Sequence, residues 1–308
     1  MNVFRLAVEE LSADSIAQLT AASLFSSPDF ADVWRAMGGR PICWIVEAGG
    51  DCVAMLTAVE FGSSPLTRLQ CMPDGLPGRI VMSAQVAGNH SLIAQTLFDT
   101  LRSSGYTRIF ITDYDTHVTV PEGFETQVRE TTVVDIGAPG WAPPDSKLRS
   151  EIRKAAREGV QPQPFVMSRD LDSFISLTRA TEQRHDSPAR YSDDFYARLA
   201  SLAGRDERVL WTVVRDNDRL AASHIYFRDG SSALYWQSCL DKELSSMKPN
   251  QALMSDAIAK LRSCGVVRLN LGQSPSEAEG LESFKRKWGG ITYRYPCYVY
   301  KSLLGRLR

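Results

Sequence analysis

Long apolar runs are missing from this sequence. No stretch of about 18 uncharged apolar residues occurs in the 308 residues, so we expect no transmembrane helix. The N-terminal segment MNVFRLAVEELSADS carries acids where a secretory signal has an apolar core and a small-residue cleavage site. The sequence therefore predicts a cytoplasmic protein.

Cysteine and histidine are few and scattered. The six cysteines stand singly in apolar segments without a C-x-x-C pair, and the four histidines fall at no metal-ligand spacing. The pattern therefore gives no indication of a zinc site, a disulfide framework or a Ser-His-Asp triad, and we expect no bound metal. Buried free thiols are the simplest interpretation of the cysteines. His224 lies in an apolar segment, where a core histidine is more common than a base.

Lysine is absent from the first 144 residues, and this absence divides the chain electrostatically. Residues 1–144 hold 8 Arg and 16 Asp and Glu, whereas residues 145–308 hold 27 Lys and Arg and 20 Asp and Glu. The charge balance is therefore −8 in the first part and +7 in the second. A basic half favours an anionic ligand such as a phosphate, nucleotide or nucleic acid, although a solvated surface has the same composition.

A segment rich in proline and glycine, GAPGWAPPDSK at 137–147, separates two patterned halves where the charge balance changes sign. After an opening helix, the second half predicts the order β-α-α-β-β-β-α-β-α-β, which starts with a strand at 160–167 and has turns at 216–218 and 229–230 that require antiparallel pairing. The first half predicts much of the same order, which indicates an internal duplication. We therefore expect an α+β protein with one domain over residues 1–140 and another over residues 141–308.

The second half is predicted to open with a basic helix. Asp145 or Ser146 can cap it, apolar residues recur at helical spacing from Leu148, and Gly159 is a natural stop. The opposite side of this helix is either an anion-binding face or a solvent-exposed surface without a binding role. It carries five cations, which are Lys147, Arg149, Arg153, Lys154 and Arg157.

The segment GLESFKRKWGG at 280–290 predicts a helix with a mixed surface. Leu281, Phe284 and Trp288 have the spacing of a buried stripe. Three cations at 285–287 then project to the sides of this stripe, and two glycines end the helix.

Four segments resemble one known group in the order in which that group has them. KLRSEIRKAAREGV resembles a helix with the pattern R-x-x-IRKA-x-x-x-G, SSMKPNQALMSDAI resembles P-N-x-x-L-x-x-x-x-I, and LESFKRKWGG resembles FKR-x-[FW]-GG. The first-half segment SPDFADVWRAMGGRPICWIVEAGGDCVAMLTAVEF is similar to the opening of BioF2-like or FemAB-like acetyltransferases. The chain thus resembles the FemABX group of the GNAT superfamily.

The resemblance implies the fold and the class of reaction. It implies a tandem GNAT (acyl-CoA N-acyltransferase) fold with two mixed, mostly antiparallel sheets flanked by helices. The acidity of the first domain argues against a second anionic donor there, so we expect this domain to be a degenerate copy that completes the acceptor cleft. The expected activity joins an activated acyl group to an amine of a cell-envelope precursor or another phosphorylated metabolite. The donor is acyl-CoA in GNAT relatives and aminoacyl-tRNA in FemABX members, and both stay open.

The resemblance also implies a donor site. It lies beside the fourth strand, at Gln237, and at the start of the helix that follows, at Lys248, Asn250 and Gln251. The sequence departs there from the Gly-rich pattern [RQ]-x-x-G-x-[GA]. Pro249 supplies no N–H, and Asn250 stands where glycine lets a phosphate approach the backbone, so both residues weigh against direct CoA binding.

Acceptor and catalytic residues follow from the same resemblance. Lys285 and Arg286 are candidates to hold phosphates and to stabilise charge in the transition state. Glu182 and Tyr235 are candidates for the base or proton relay, since Glu182 is in the segment that lines the acceptor cleft in relatives. The residues expected to bind substrate are Arg149, Arg153, Arg184, His185, Tyr191 and Arg286.

Two other functions are consistent with the sequence. A non-catalytic RNA- or phosphate-binding protein on a GNAT scaffold would use the basic helix, although no helix-turn-helix, zinc finger or RNP motif is present and DNA is not an expected partner. The C-terminal segment YKSLLGRLR could make a weak peripheral contact with the inner face of a membrane, which would suit a lipid-linked acceptor.

Overall fold

The computed structural model describes residues 1–11, 19, 23–83, 89–113, 122–184, 186–274 and 279–306. Contacts divide the chain into two compact units, Met1–Arg129 with Arg294–Arg308, and Glu130–Tyr293. Among the described residues, no helix is long and apolar enough to cross a membrane. All six cysteines are free, and Cys264 is exposed, so the expectation of buried thiols is wrong at that position.

The first unit is a sheet with a helix on one face. Its sheet has the order β1-β2-β3-β4-β6-β13, with β5 beside β3, and only β4 and β6 are parallel among these pairs. The strands are β1 (Asn2–Ala7), β2 (Arg40–Ala48), β3 (Asp51–Phe61), β4 (Arg68–Cys71), β5 (Ile80–Met82), β6 (Arg108–Thr112) and, from the end of the chain, β13 (Ile291–Lys301). The helices are α1 (Pro28–Asp32) and α2 (His90–Ser103), and the last turn of the chain is α8 (Leu303–Arg306).

Helix α2 builds the core of this unit because its apolar residues recur on one side. Ile93, Leu97 and Leu101 are buried against the apolar residues of β2 and β3. The sequence also predicts a helix at 12–25 (SADSIAQLTAASLF), which falls largely outside the described residues. The short strand β5 carries too few alternating residues to be predicted from sequence.

The second unit repeats this arrangement with longer helices. Its sheet has the order β8-β9-β10-β11-β12-β7, in which only β11 and β12 are parallel. The strands are β7 (Glu125–Asp135), β8 (Gln163–Pro164), β9 (Val209–Asp216), β10 (Arg219–Asp229), β11 (Ser232–Leu240) and β12 (Arg268–Asn270). The helices are α3 (Ser146–Arg157), α4 (Met167–Arg184), α5 (Asp193–Ala203), α6 (Pro249–Ser263) and α7 (Glu279–Lys287).

Local sequence explains most of these bounds. Asp145 caps α3 by accepting a hydrogen bond of 2.6 Å from the backbone N–H of Leu148, as predicted. The strand predicted at 160–167 is reduced to two residues, since Pro162 and Pro164 have no N–H to pair. The stripe predicted on α7 is wrong at Leu281, which is 37% exposed, whereas Phe284 packs against the core and Trp288, just after the helix, is buried in it.

Each sheet is completed by a strand from the other half of the sequence. β13 ends the chain but pairs antiparallel with β6, so residues 294–308 belong to the first unit. β7 precedes the proline-rich joint but pairs antiparallel with β12 in the second unit. Contacts thus divide the chain differently from the predicted division at residue 140, because strand pairing overrides chain order. The division into a degenerate and a catalytic copy stays a prediction.

Candidate functional site

A β-bulge interrupts β11 at the middle of the second sheet. Ile225 on β10 pairs with Gln237, whereas the next residue, Tyr226, pairs with Tyr235, so Trp236 is an extra residue on β11. The pairing of β3 with β4 in the first unit has no such shift. Bulges redirect side chains and are common beside active sites. The bulge therefore makes this strand of the second unit the expected location of a binding site.

A cavity of about 490 Å³ lies beside the bulge, and we name it the β11 pocket. It is large enough for a small molecule or for one arm of a larger ligand. Its wall includes Gln237 and Glu182, two residues that the sequence proposed for different roles. The lining residues are Thr178, Thr181, Glu182, Ser187, Pro188, Arg190, Gln237 and Ser238.

A hydrogen-bond network holds one wall of the β11 pocket. The side-chain amide of Gln237 donates to the hydroxyl of Tyr196 over 2.8 Å, and burial raises the pKa of that hydroxyl to about 12. The guanidinium of Arg179 lies 5.8 Å from the centre of the Tyr196 ring. Tyr196 is therefore an uncharged positioning group at physiological pH, and sequence reasoning missed it because it reads as a core residue of α5.

Glu182 has structural partners on both carboxylate oxygens. One oxygen accepts from the guanidinium of Arg179 over 3.0 Å, and the other accepts from the backbone N–H of Arg190 over 3.0 Å. Arg179 also binds the carbonyl oxygen of Tyr191 and the carboxylate of Asp193. Glu182 thus fixes the segment between α4 and α5 over the pocket, a role that does not need proton transfer.

Tyr235 belongs to a buried network under α6. Its hydroxyl lies 3.3 Å from Nε2 of His224, whose Nδ1 lies 2.9 Å from the hydroxyl of Tyr226. Burial raises the pKa values of both tyrosines and lowers that of His224 to about 4, so all three groups are neutral. His224 is a satisfied core histidine, and Tyr235 contacts it instead of standing free to act as a catalytic acid.

The predicted donor residues at the start of α6 are all engaged by neighbouring side chains. Oδ1 of Asn250 lies 3.1 Å from Nε2 of His224. Lys248 and Gln251 both contact the carboxylate of Glu151 on α3, at 3.2 Å from the ammonium and 3.2 Å from the side-chain amide. The structure therefore brings Lys248, Asn250 and Gln251 together but places an acid among them.

This end of α6 does not fit the pyrophosphate of CoA. Pro249 is the first helical residue and contributes no N–H, so the first turn has one donor fewer than usual. Lys248 precedes it with a φ of 60°, a conformation for which glycine is usual. The Glu151 carboxylate adds a negative charge where a phosphate would have to bind.

A second, smaller pocket lies against α7. It has a volume of about 190 Å³, and we name it the α7 pocket. It contains two acids and two cations, with hydroxyl groups between them, and thus suits a polar or charged group. The lining residues are Glu130, Thr131, Thr132, Ser274, Glu282, Lys285, Arg286, Gly290 and Thr292.

Lys285 is a buried ammonium in the wall of the α7 pocket. It is 2% exposed, although the sequence placed it beside the apolar stripe of the helix together with the exposed Arg286 and Lys287. Its Nζ donates to the carbonyl oxygens of Gly272 over 2.7 Å and Gln273 over 2.9 Å. Burial lowers its pKa to about 8, and the nearby charge of Glu282 acts in the opposite direction. An ammonium has three N–H donors. The described residues accept from two of those on Lys285, so the third is available to a ligand.

The other predicted substrate residues are dispersed over this unit. Arg149 donates to the carbonyl oxygens of Pro143 and Pro144, and it therefore clamps the joint instead of presenting its charge. Arg153 is exposed and donates to the hydroxyl of Ser150, and Arg184 donates to the hydroxyl of Thr181 and the carbonyl oxygen of Leu240. Tyr191 is buried and stacks on Phe195, whereas Arg286 is exposed in the α7 pocket. His185 lies outside the described residues.

Sequence reasoning missed Glu151, although one signal was present. In α3, Glu151 is the single acid in SKLRSEIRKAAR, a helix that otherwise carries five cations. A lone acid in such a helix indicates a specific partner, which the structure identifies as Lys248 and Gln251 at the start of α6.

Comparisons with known proteins agree with this geometry. The family profile described as "Acetyltransferase (GNAT) domain" matches residues 146–286, which include the bulge, the start of α6 and Lys285. The second unit thus matches the profile of a GNAT acetyltransferase domain. Its match confirms the expected enzyme class. No curated protein sequence matches the chain.

Solved structures extend the likeness of the GNAT domain to the whole chain. FemX aligns with a TM-score of 0.76 at 13% identity, over 100% of this chain and 99% of its own. L-PGS from Bacillus licheniformis aligns with a TM-score of 0.59 at 13% identity, over 96% of both chains. A tandem GNAT protein from the clavulanic acid biosynthesis pathway aligns with a TM-score of 0.51 at 12% identity, over 97% and 98%. The predicted FemABX-like tandem GNAT fold is confirmed.

Proposed function

We propose that the second unit forms an amide by transferring an acyl group from an ester or thioester donor to a primary amine. The new bond joins the amine nitrogen to the acyl carbon, the bond from that carbon to the donor oxygen or sulfur breaks, and one amine proton ends on the leaving atom. No covalent enzyme intermediate is required, since a positioned neutral amine attacks the activated acyl carbon directly.

The buried ammonium of Lys285 carries this proposal. Attack on the acyl carbon places negative charge on its oxygen, and a preorganised donor in a water-poor site stabilises that charge. Lys285 meets these requirements. Two carbonyl oxygens fix its position, and none of the other described residues accepts its third N–H, which is therefore available to the oxyanion. The protonated form is the active one in this role.

The acceptor we propose is an amine on a phosphorylated cell-envelope precursor. Arg286 is exposed in the α7 pocket next to Lys285, and a guanidinium binds phosphate oxygens through two parallel hydrogen bonds. The similarity to FemX supports the fold for such an acceptor. Exposed cations on α3, such as Arg153, would then contact the phosphates of a tRNA donor.

A transfer assay tests the function directly. The purified chain is incubated with radiolabelled aminoacyl-tRNA or radiolabelled acetyl-CoA and a panel of acceptors: a nucleotide-linked cell-wall peptide, an aminated phospholipid and a polyamine. We expect label in an alkali-stable product with one acceptor, which distinguishes an amide from an ester. RNA binding with strong salt dependence but no transfer to any amine would support the non-catalytic alternative instead.

A further inference from the structure

The start of α6 has the general features of an anion site. α6 is a helix of 15 residues, and Lys248 precedes its first turn. The exposed N–H groups and the dipole of such a helix favour a negative charge at this end. An anion is in fact present there, because the carboxylate of Glu151 lies 3.2 Å from the ammonium of Lys248 and 3.2 Å from the amide of Gln251.

This internal anion is held in place from several sides. The side chains of Lys248 and Glu151 are only 30% and 22% exposed, so their attraction is less screened than that of a surface pair. Glu151 comes from the middle of α3, which packs its buried Leu148 and Ala155 against the core. The carboxylate is thus fixed by a helix and cannot leave without a change in its own side-chain conformation.

An incoming pyrophosphate would have two costs at this position. It would have to break the contact of Glu151 with Lys248, and it would then face the Glu151 charge at short range. The backbone offers little compensation, since Pro249 has no N–H and Asn250 is bonded to the neutral imidazole of His224.

We infer that Glu151 determines donor specificity by occupying the anion position at the start of α6 and excluding donors that carry a pyrophosphate. The donor class that remains is an acyl group activated as an ester on a carrier without a pyrophosphate at this point, such as the terminal ribose of an aminoacyl-tRNA. The identity of that donor rests on the proposed acyl transfer, whereas the exclusion of pyrophosphate-bearing donors concerns binding alone.

Titration calorimetry with CoA and with inorganic pyrophosphate tests the exclusion. Glu151→Gln removes the charge and keeps the shape, and we expect it to bind CoA at least about tenfold more tightly than the unmodified chain. The matched control is Glu158→Gln, which removes an acid from the end of the same helix, where it pairs with Lys154. This control is expected to leave CoA binding unchanged. The double variant Glu151→Gln with Lys248→Ala is expected to lose the gain.

Each alternative result overturns the inference. Micromolar CoA binding by the unmodified chain would show that the position is open. Equal weak binding of CoA by the unmodified chain and by Glu151→Gln would show that another feature excludes CoA. An equal gain in CoA affinity in Glu158→Gln would show that the gain comes from the change in net charge and not from the position of Glu151. Glu151→Ala, with circular dichroism of each variant, guards against a folding defect of the first variant.

These measurements separate the inference from the proposed function. If Glu151→Gln gains CoA binding but no aminoacyl transfer is found with any acceptor, the proposed reaction fails while the specificity role of Glu151 stands. If transfer from aminoacyl-tRNA occurs and Glu151→Gln gains nothing, the function stands and the inference fails.

Discussion

The ammonium of Lys285 donates a hydrogen bond of 2.7 Å to the carbonyl oxygen of Gly272, at the point where the chain leaves β12. Gly272 has a φ of 74°, which turns the chain here, and a second bond of 2.9 Å to the carbonyl oxygen of Gln273 completes the clamp. The Lys285 ammonium on α7 is thereby fixed to the backbone that follows β12. Its position is set by these two carbonyl oxygens and not by its flexible side chain alone.

Replacement of Lys285 is expected to remove transfer activity. For Lys285→Met, kcat falls roughly 100-fold because the oxyanion loses its donor, whereas the KM of either substrate changes little. Since burial lowers the pKa of Lys285 to about 8 and the charged form is active, kcat of the unmodified chain also falls as the pH rises through about 8.

Lys287→Met is the control, because Lys287 is exposed on the same helix. It is expected to keep both the activity and the pH dependence. Steady-state kinetics between about pH 6 and 10 check both statements, and a Lys285→Met variant with normal kcat would exclude the role proposed for this ammonium.

Glu182 is expected to act through structure and not as a base. Glu182→Gln weakens the contact with Arg179, so the segment between α4 and α5 loosens and KM for the acceptor rises, while the pH dependence of kcat stays as in the unmodified chain. A loss of about 1 kcal/mol would lower Tm by roughly 2–4 °C.

The matched control for this variant is Glu207→Gln, since Glu207 pairs with Arg228 at the surface of the same unit. It should change neither KM nor Tm measurably. A large fall in kcat with an altered pH dependence in Glu182→Gln, with KM unchanged, would instead identify Glu182 as the base.

Glu60 is expected to stabilise the first unit in a pH-dependent way. Its carboxylate is almost fully buried and accepts hydrogen bonds from Arg5 over 2.9 and 2.7 Å and from the Tyr106 hydroxyl over 2.5 Å. Glu60→Gln leaves Arg5 without its charge partner and is expected to reduce the free energy of unfolding by about 1–2 kcal/mol at pH 7, since the carboxylate is buried but Arg5 is 45% exposed and screened by solvent.

The sign of the pH dependence follows from the lowered pKa of Glu60. Although its burial acts to raise the pKa, the bonds from Arg5 and Tyr106 prevail and lower it. The stabilisation is therefore present above the unfolded pKa and lost as the pH falls through the folded pKa. Urea unfolding at several pH values should show the difference from Glu60→Gln shrinking in acid, with the exposed Glu125→Gln as control. A difference independent of pH would contradict this account.

His224 is expected to stay neutral down to about pH 4, because it is fully buried. Long-range nitrogen–proton NMR correlations should show no titration of its ring between about pH 5 and 8. They should also show the proton on Nε2, which donates to Oδ1 of Asn250. A His224→Gln variant assigns the signal, and a titration near neutral pH would contradict the burial of this ring.

The sequence alone determined the type of most elements and the class of the protein. Local signals were sufficient where one residue dictates the backbone, as with the Asp145 cap of α3 and Pro249 at the start of α6. The order of these elements, together with the four segments that resemble the FemABX group, indicated the tandem GNAT fold. The distribution of charged residues along the chain also separates an acidic from a basic half.

Only the tertiary structure decided which charges are available to a ligand. Lys285 and Arg286 are neighbours in sequence, yet the first is buried on two carbonyl oxygens and the second is exposed. The exchange of β7 and β13 between the sheets, and the contact of Glu151 with a helix that starts about a hundred residues later, were equally hidden. Periodicity reports which face of an element is buried, but partners distant in the chain are chosen by packing and hydrogen bonding in three dimensions.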